Sequence, residues 1–155
     1  MSEPIVHLHL HTAYSLLDGM IRTKELAARA AELGMPAVAM TDHGNLFGAI
    51  DFYQACKKVG VKPILGCEIY LAPFSASEEW KKKIPNRKSA THLTLLAETN
   101  EGWQNLSKLT SIGHLDGMYN GKPRVDREIL RAHSKGIICL SGCISGPVNE
   151  WLLKD

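Results

Sequence analysis

No run in these 155 residues approaches the ~20 apolar residues of a membrane span. The opening Met1-Ser2-Glu3-Pro4 has no basic region leading into an apolar stretch, so the expectation is a soluble, cytoplasmic protein without membrane contact. The four cysteines, Cys56, Cys67, Cys139 and Cys143, include no Cys-x-x-Cys pair, which argues against a zinc ribbon or a thioredoxin-like redox site. In a reducing compartment they are free thiols, one of which could serve as a ligand. A net charge of only +2 lacks the basic footprint of a dedicated nucleic-acid binder, so any contact with DNA has to be local. Repeats and low-complexity tracts are absent, and the length suits one domain with a real core.

Histidine is what stands out. In Val6-His7-Leu8-His9-Leu10-His11, strand alternation sends Val6, Leu8 and Leu10 to a core and the three histidines to the opposite face. A strand buried on both sides would carry aliphatic residues on both. This row of imidazoles, followed by Asp18-Gly19, therefore points to a metal site.

Strand and helix patterns alternate beyond it. A helix is expected over residues 21–34, capped by Thr23, with Leu26, Ala30 and Leu33 on one face and Gly34 as its left-handed stop. Residues 37–40 read as an apolar strand covered on both sides. Asn45 is placed to cap a second helix, with Leu46, Ile50 and Tyr53 on one face, Ala49, Phe52 and Cys56 beside them, and Gly60 at its end. Residues 62–71 read as a strand with one acid, Glu68, among apolar neighbours. Residues 73–90, with Lys81-Lys82-Lys83 and Arg87-Lys88, break the pattern and read as a solvated excursion, a phosphate-contacting patch being the lesser reading. A strand over 92–97, a helix over 100–112, a loop over 113–122, a helix over 126–133 and a strand over 137–140 follow, and Pro147 opens a last helix. Such alternation implies an α/β fold, a parallel sheet or barrel with helices outside. Its chemistry would sit at the carboxyl ends of the strands, a rule that His92, at the start of its strand, fits poorly.

A hydrolytic metal cluster needs imidazole or carboxylate ligands from several strands, an acid able to bridge two ions, and open positions for water. His9, His11, Asp18, His43, Glu68, His92 and Cys143 meet the first two needs. Singly, each has a structural reading: a hydrogen-bonded histidine, a solvent-facing strand acid, a small buried cysteine. Asp42 is either a helix-start acid or a partner that holds His43. His114 and His133 are assigned no role.

The segments His9-Leu10-His11-Thr12, 14–19, 41–48, 62–70, 92–97 and 141–146, in that order, resemble the amino-terminal PHP (polymerase and histidinol phosphatase) domain of the bacterial replicative DNA polymerase III alpha-subunit family. Tyr14-Ser15-Leu16-Leu17-Asp18-Gly19 and Gly102-Trp103-Gln104-Asn105-Leu106 tie the resemblance to the polymerase branch. It implies a distorted (β/α)7 barrel, incomplete here with about five of seven units. It also implies a multinuclear metal cluster held by His9, His11, Asp18, His43, His92, Cys143 and a bridging Glu68. Zinc, manganese or iron suits that set; the magnesium of the parent polymerase would not be bound here. His7 precedes the motif and is not implied as a ligand.

The family's final Asp-x-His pair and its polymerase palm, fingers and thumb are not found by Asp155, so residues 1–155 read as the amino-terminal part of the PHP domain of a longer chain. For that parent the resemblance implies template-directed DNA synthesis in replication. The implied partners are the remainder of the alpha subunit, a proofreading exonuclease subunit, other replisome subunits and DNA. For the module it implies phosphoester hydrolysis and support of the polymerase structure. Two other readings stay open: a stand-alone PHP-family metal-dependent phosphoesterase, and a scaffold whose metals serve stability alone.

Overall fold

Helices cover a six-stranded mixed sheet, in a computed structural model that describes residues 5–72, 90–142 and 146–153. The lysine-rich excursion and Cys143 lie outside the described residues. In chain order the elements are α1 (Thr23–Glu32), β1 (Ala37–Met40), α2 (Ala49–Val59), β2 (Lys62–Leu71), β3 (Thr91–Ala97), α3 (Asn100–Leu115), β4 (Met118–Tyr119), β5 (Lys122–Val125), α4 (Arg127–Ala132), β6 (Ile137–Leu140) and α5 (Pro147–Leu152). Among the described residues no helix is long and apolar enough to cross a membrane.

The strand β2 organises the sheet. Its first half pairs parallel with β1, from Ala37↔Lys62 to Met40↔Leu65. Its second half pairs antiparallel with β3, from Gly66↔Leu96 to Leu71↔Thr91, and Tyr70 and Leu71 pair parallel with β5 on the other edge. β6 lies antiparallel to β3. Among the described residues the sheet is open, with β6 at its edge and Ile138 44% exposed. The α/β alternation is as expected, but the direction of β3 makes the sheet mixed instead of parallel. That direction removes the difficulty with His92. The start of an antiparallel strand lies beside the carboxyl end of its neighbour, and His92 is the cross-strand partner of Tyr70.

The first segment departs from the regular strand expected of it. Residues 5–11 run beside β1, with Ala39 N–H donating to His7 O (2.9 Å) and Thr41 N–H to Leu10 O (2.8 Å). Leu10 packs on the core, whereas Leu8 is 39% exposed, so the inward alternation fails there. Thr23 is the first residue of α1 and not its cap; Arg22 precedes it without a side-chain cap bond. Asn45 lies short of α2 and builds a turn: its Oδ1 accepts from Phe47 N–H, and its Nδ2 donates to Tyr14 O and His43 O. Gly34 and Gly60 follow α1 and α2 with φ of +67° and +79°, the left-handed stops expected.

Two clusters make the core. In one, Leu26, Ala27 and Ala30 of α1 meet Val38 and Met40 of β1 and Ala49, Phe52 and Cys56 of α2. The core face of α2 is therefore the second of the two expected, while Ile50 and Tyr53 are 63% and 45% exposed. In the other, Cys67, Ile69 and Leu71 of β2 and Leu93 and Leu95 of β3 pack on Leu106 and Leu109 of α3. Strand alternation then turns Glu68, Tyr70, His92 and Thr94 to the opposite face.

The stretch 113–122, expected as loop, holds the end of α3 and the turn of the β4–β5 hairpin. Asn120 and Gly121, with φ of 50° and 72°, supply the left-handed pair of a two-residue type I′ turn. Asp126 caps α4 by accepting from Ile129 N–H (2.8 Å).

The assignment of the α2 faces is testable. Phe52→Ala, which empties a fully buried position, should cost about 3–5 kcal/mol. Ile50→Ala should stay within about 0.5 kcal/mol. Thermal and urea melts of the two variants check the order, and an Ile50 effect equal to that of Phe52 would reverse the faces.

Candidate metal centre

The centre is built around one carboxylate. Glu68, in the second half of β2, is 4% exposed, and imidazoles from three separate stretches of chain turn to it. His9 Nε2 lies 2.7 Å from Oε2 and His11 Nε2 3.5 Å from the same oxygen. His43 Nδ1 lies 2.8 Å and His92 Nδ1 3.1 Å from Oε1. On its far side His43 presents Nε2 to Asp18 Oδ2 at 3.0 Å. The rings also touch one another: His11 stacks on His43 at 4.0 Å, and His9 meets His11 edge-on at 5.0 Å. Six of the seven residues singled out in the sequence, His9, His11, Asp18, His43, Glu68 and His92, thus converge; the seventh, Cys143, lies outside the described residues.

Backbone pairing delivers them. Glu68 N–H donates to Asp42 O (3.0 Å) and Gly44 N–H to Glu68 O (2.8 Å), so the segment after β1 continues along the edge of β2 and sets His43 beside Glu68. Among the described residues the Asp42 carboxylate makes no direct hydrogen bond to the His43 ring. That fully buried carboxylate accepts from Thr12 N–H (2.6 Å), Thr12 Oγ1–H (2.7 Å) and Ser15 Oγ–H (2.7 Å). Ser15 Oγ in turn accepts from His43 N–H (3.1 Å) and lies 3.2 Å from His11 Nδ1. Asp42 therefore pins the loop that carries His11 and reaches His43 only through Ser15. Neither Thr12 nor Ser15 was assigned a role from sequence, and nothing in residue spacing marks them. Tyr70 was also missed, although its position two residues after Glu68 on a strand was a usable signal: its ring packs edge-on against His92 at 4.8 Å.

The electrostatics follow from this packing. Burial pushes the Glu68 carboxyl up, but hydrogen bonds from His11 and His43 and the charges of His92 and His43 overcome it and hold the group far below the ordinary glutamate range. His43 is raised by its bond to Glu68, against the opposing effect of burial and with help from Asp18. His92 is lowered, chiefly by burial, against the pull of the Glu68 charge.

This donor set fits a divalent metal ion. His9, His11 and Glu68 offer ligand atoms within 4.8 Å of one another. Imidazole and carboxylate are the donors that borderline divalent ions take. Thr94 Oγ1, across the sheet from Glu68, is buried without a hydrogen-bond partner among the described residues, a polar atom that an ion-bound oxygen would satisfy.

Residues 7–155 match the PHP domain family. The chain is similar to the DNA polymerase III subunit alpha of Helicobacter pylori (strain J99), 49% identical over 153 residues, covering 97% of this chain and 12% of that protein. It is likewise similar to the DNA polymerase III subunit alpha of Chlamydia muridarum, 48% identical over 150 residues with the same shares. The chain thus spans about 12% of the length of the curated relatives it matches. Among solved structures, an amidohydrolase from Chromobacterium violaceum superposes with a TM-score of 0.47 at 18% identity, over 72% of this chain and 33% of that one.

The two buried acids should separate by experiment. Glu68→Gln removes the charge that faces every ring and should lower metal stoichiometry. Asp42→Asn swaps one acceptor for a donor opposite Thr12 or Ser15 and should cost about 1–3 kcal/mol of stability while the folded fraction still loads metal. Metal analysis beside thermal melts checks both, and equal stoichiometry in the two variants would count against the central place of Glu68.

Proposed function

This chain belongs to the PHP domain family, and from that premise we propose that residues 1–155 are the amino-terminal part of the PHP domain of a bacterial replicative DNA polymerase alpha subunit, carrying a metal centre that hydrolyses phosphoesters. The observation that carries the reading is the convergence of four imidazoles on the buried carboxylate of Glu68. In the proposed set His9, His11, Asp18, His43, Glu68, His92 and Cys143 are ligands, and Asp42 stands behind them. A bound divalent ion of zinc, manganese or iron supplies a Lewis acid and lowers the pKa of a bound water. The chain's own residues do the rest. Glu68, whose two oxygens each face two rings, would serve as the bridging ligand, while Asp42, through Thr12 and Ser15, fixes the loop that aims His11. Asp18, 61% exposed at its side chain, is the ligand at the rim, with Oδ2 3.0 Å from His43 Nε2.

Similarity to polymerase III alpha subunits at 48–49% identity supports the parent assignment. With it come template-directed DNA synthesis using magnesium bound elsewhere, and a cytoplasmic replisome as the setting. The partners are the remainder of the alpha subunit, the proofreading exonuclease subunit and DNA.

Metal present at about a hundredfold its Kd should add about 2.7 kcal/mol to the folded state, which for a chain of this size raises Tm by roughly 5–10 °C. A strong chelator should remove that increment. The loaded full-length alpha subunit should hydrolyse bis(p-nitrophenyl) phosphate, and Glu68→Gln in it should lower the rate. An identical Tm with and without chelator, together with no hydrolysis under any of the three metals, would overturn the proposal.

A further inference from the structure

His114, in the last turn of α3, was assigned no role from sequence. Its Nε2 lies 3.0 Å from the carbonyl oxygen of Gly44, 70 positions earlier in the chain. A carbonyl only accepts, so Nε2 carries the proton and donates. Gly44 is buried and has a left-handed φ of +61°, and it directly follows His43, the ring that faces both Glu68 and Asp18. The backbone around that ring is held group by group. His43 N–H donates to Ser15 Oγ, and His43 O accepts from Asn45 Nδ2. Gly44 N–H donates to Glu68 O, and Gly44 O accepts from His114. Of these four partners only His114 belongs to a helix. Packing keeps that helix close: Pro123 of β5 lies against both Gly44 and Gly113, so that a Cβ added at Gly44 would stand 2.7 Å from the proline Cγ and one added at Gly113 3.3 Å from its Cβ. Leu106 and Leu109 anchor α3 in the core, and the His114 ring lies tilted against Phe47, with centroids 6.1 Å apart.

We infer that His114 is a positioning residue for the metal centre: from α3 it holds the peptide that joins Gly44 to Asn45, and so fixes the direction in which His43 presents its ring. The inference rests on reading the Glu68 cluster as a metal centre, and it adds a support that no ligand contact reveals. The route is short. The Gly44–Asn45 peptide sets where Asn45 stands, and the Asn45 side chain in turn holds His43 O and Tyr14 O. A ring pivots on its own backbone, so a rotation of these peptides is carried out to both nitrogens of His43. Groups that orient a ligand from behind govern metal affinity almost as the ligands do. Asp42 does this through Ser15 from the side of residues 12 and 15; His114 does it from the opposite side of His43 in the chain, through a hydrogen bond that α3 makes rigid.

The test uses the full-length alpha subunit and cobalt(II) as the probe ion, because its visible absorption reports how its ligands are arranged. The spectrum of the Glu68→Gln protein is subtracted to remove cobalt bound elsewhere. His114→Phe keeps an aromatic ring beside Phe47 and removes the donor; His114→Gln brings an amide N–H back to the place of Nε2. The phenylalanine variant should bind cobalt about tenfold more weakly with an altered visible band, and the glutamine variant should restore both to the parent's values. Melts of the chelated proteins are recorded alongside. Unchanged affinity and band in the phenylalanine variant overturn the inference. Equal losses in the two variants overturn it as well, because the ring and not its N–H would then matter. A lower metal-free melt with cobalt binding unchanged also overturns it, leaving His114 a prop for α3. A parent without any Glu68-dependent cobalt band removes the metal-centre reading and the inference together, whereas a parent that binds cobalt beside a phenylalanine variant that binds it identically removes the inference alone.

Discussion

A carboxylate buried as deeply as Glu68 stays ionised only if both oxygens are matched by donors or cations. The arrangement of the sheet follows from meeting that condition. Two rings face each oxygen, and no single element could supply them all. His43 arrives on the continuation of β1, His92 at the start of a strand running the other way, and His9 and His11 on the segment that precedes α1. β2 can receive all of them because its two edges are taken by different neighbours, β1 and then β5 on one and β3 on the other.

The second constraint is the buried Asp42 carboxylate, which is satisfied by three donors from residues 12 and 15. All three come from one short loop. Their effect is to fix the loop's path before any ligand is bound. Ser15 then carries the same constraint on to His11 and His43. A site whose ligands are positioned by a supporting layer loses little further freedom when it binds.

The residues of the centre were legible because their chemistry is local: alternating histidines, an Asp-His after an apolar strand and an acid inside one are unusual wherever the chain goes. Strand direction was not legible. Period-two alternation is the same read forwards or backwards, and only the pairing of β3 with β2 explains why His92 belongs at its strand's start. The faces of α2 were ambiguous for a related reason, since Leu46, Ile50 and Tyr53 and Ala49, Phe52 and Cys56 both fit a helical repeat, and contact with α1 and β1 decides between them. The hairpin was different. Asn120-Gly121 is a strong turn signal, passed over because the two-residue strand on one side of it carries too little periodicity to be seen.

The irregular first segment shows why side-chain pattern and backbone can part company. In a flat strand, residues two apart point the same way along parallel lines and their ends stay roughly 7 Å apart. His9 and His11 instead bring their rings to 5.0 Å and both address Oε2 of Glu68. The backbone bends at residues 8 and 9, and Leu8 there is exposed. The bend is tolerated because the pairing it disrupts is replaced: Leu10 N–H donates to Thr41 Oγ1 (2.8 Å), while Leu10 O accepts from Thr41 N–H. A single threonine side chain thus substitutes for one rung of a ladder, and the chain keeps its backbone satisfied while giving up strand geometry at the one place where the chemistry of the centre needs two neighbouring side chains to meet.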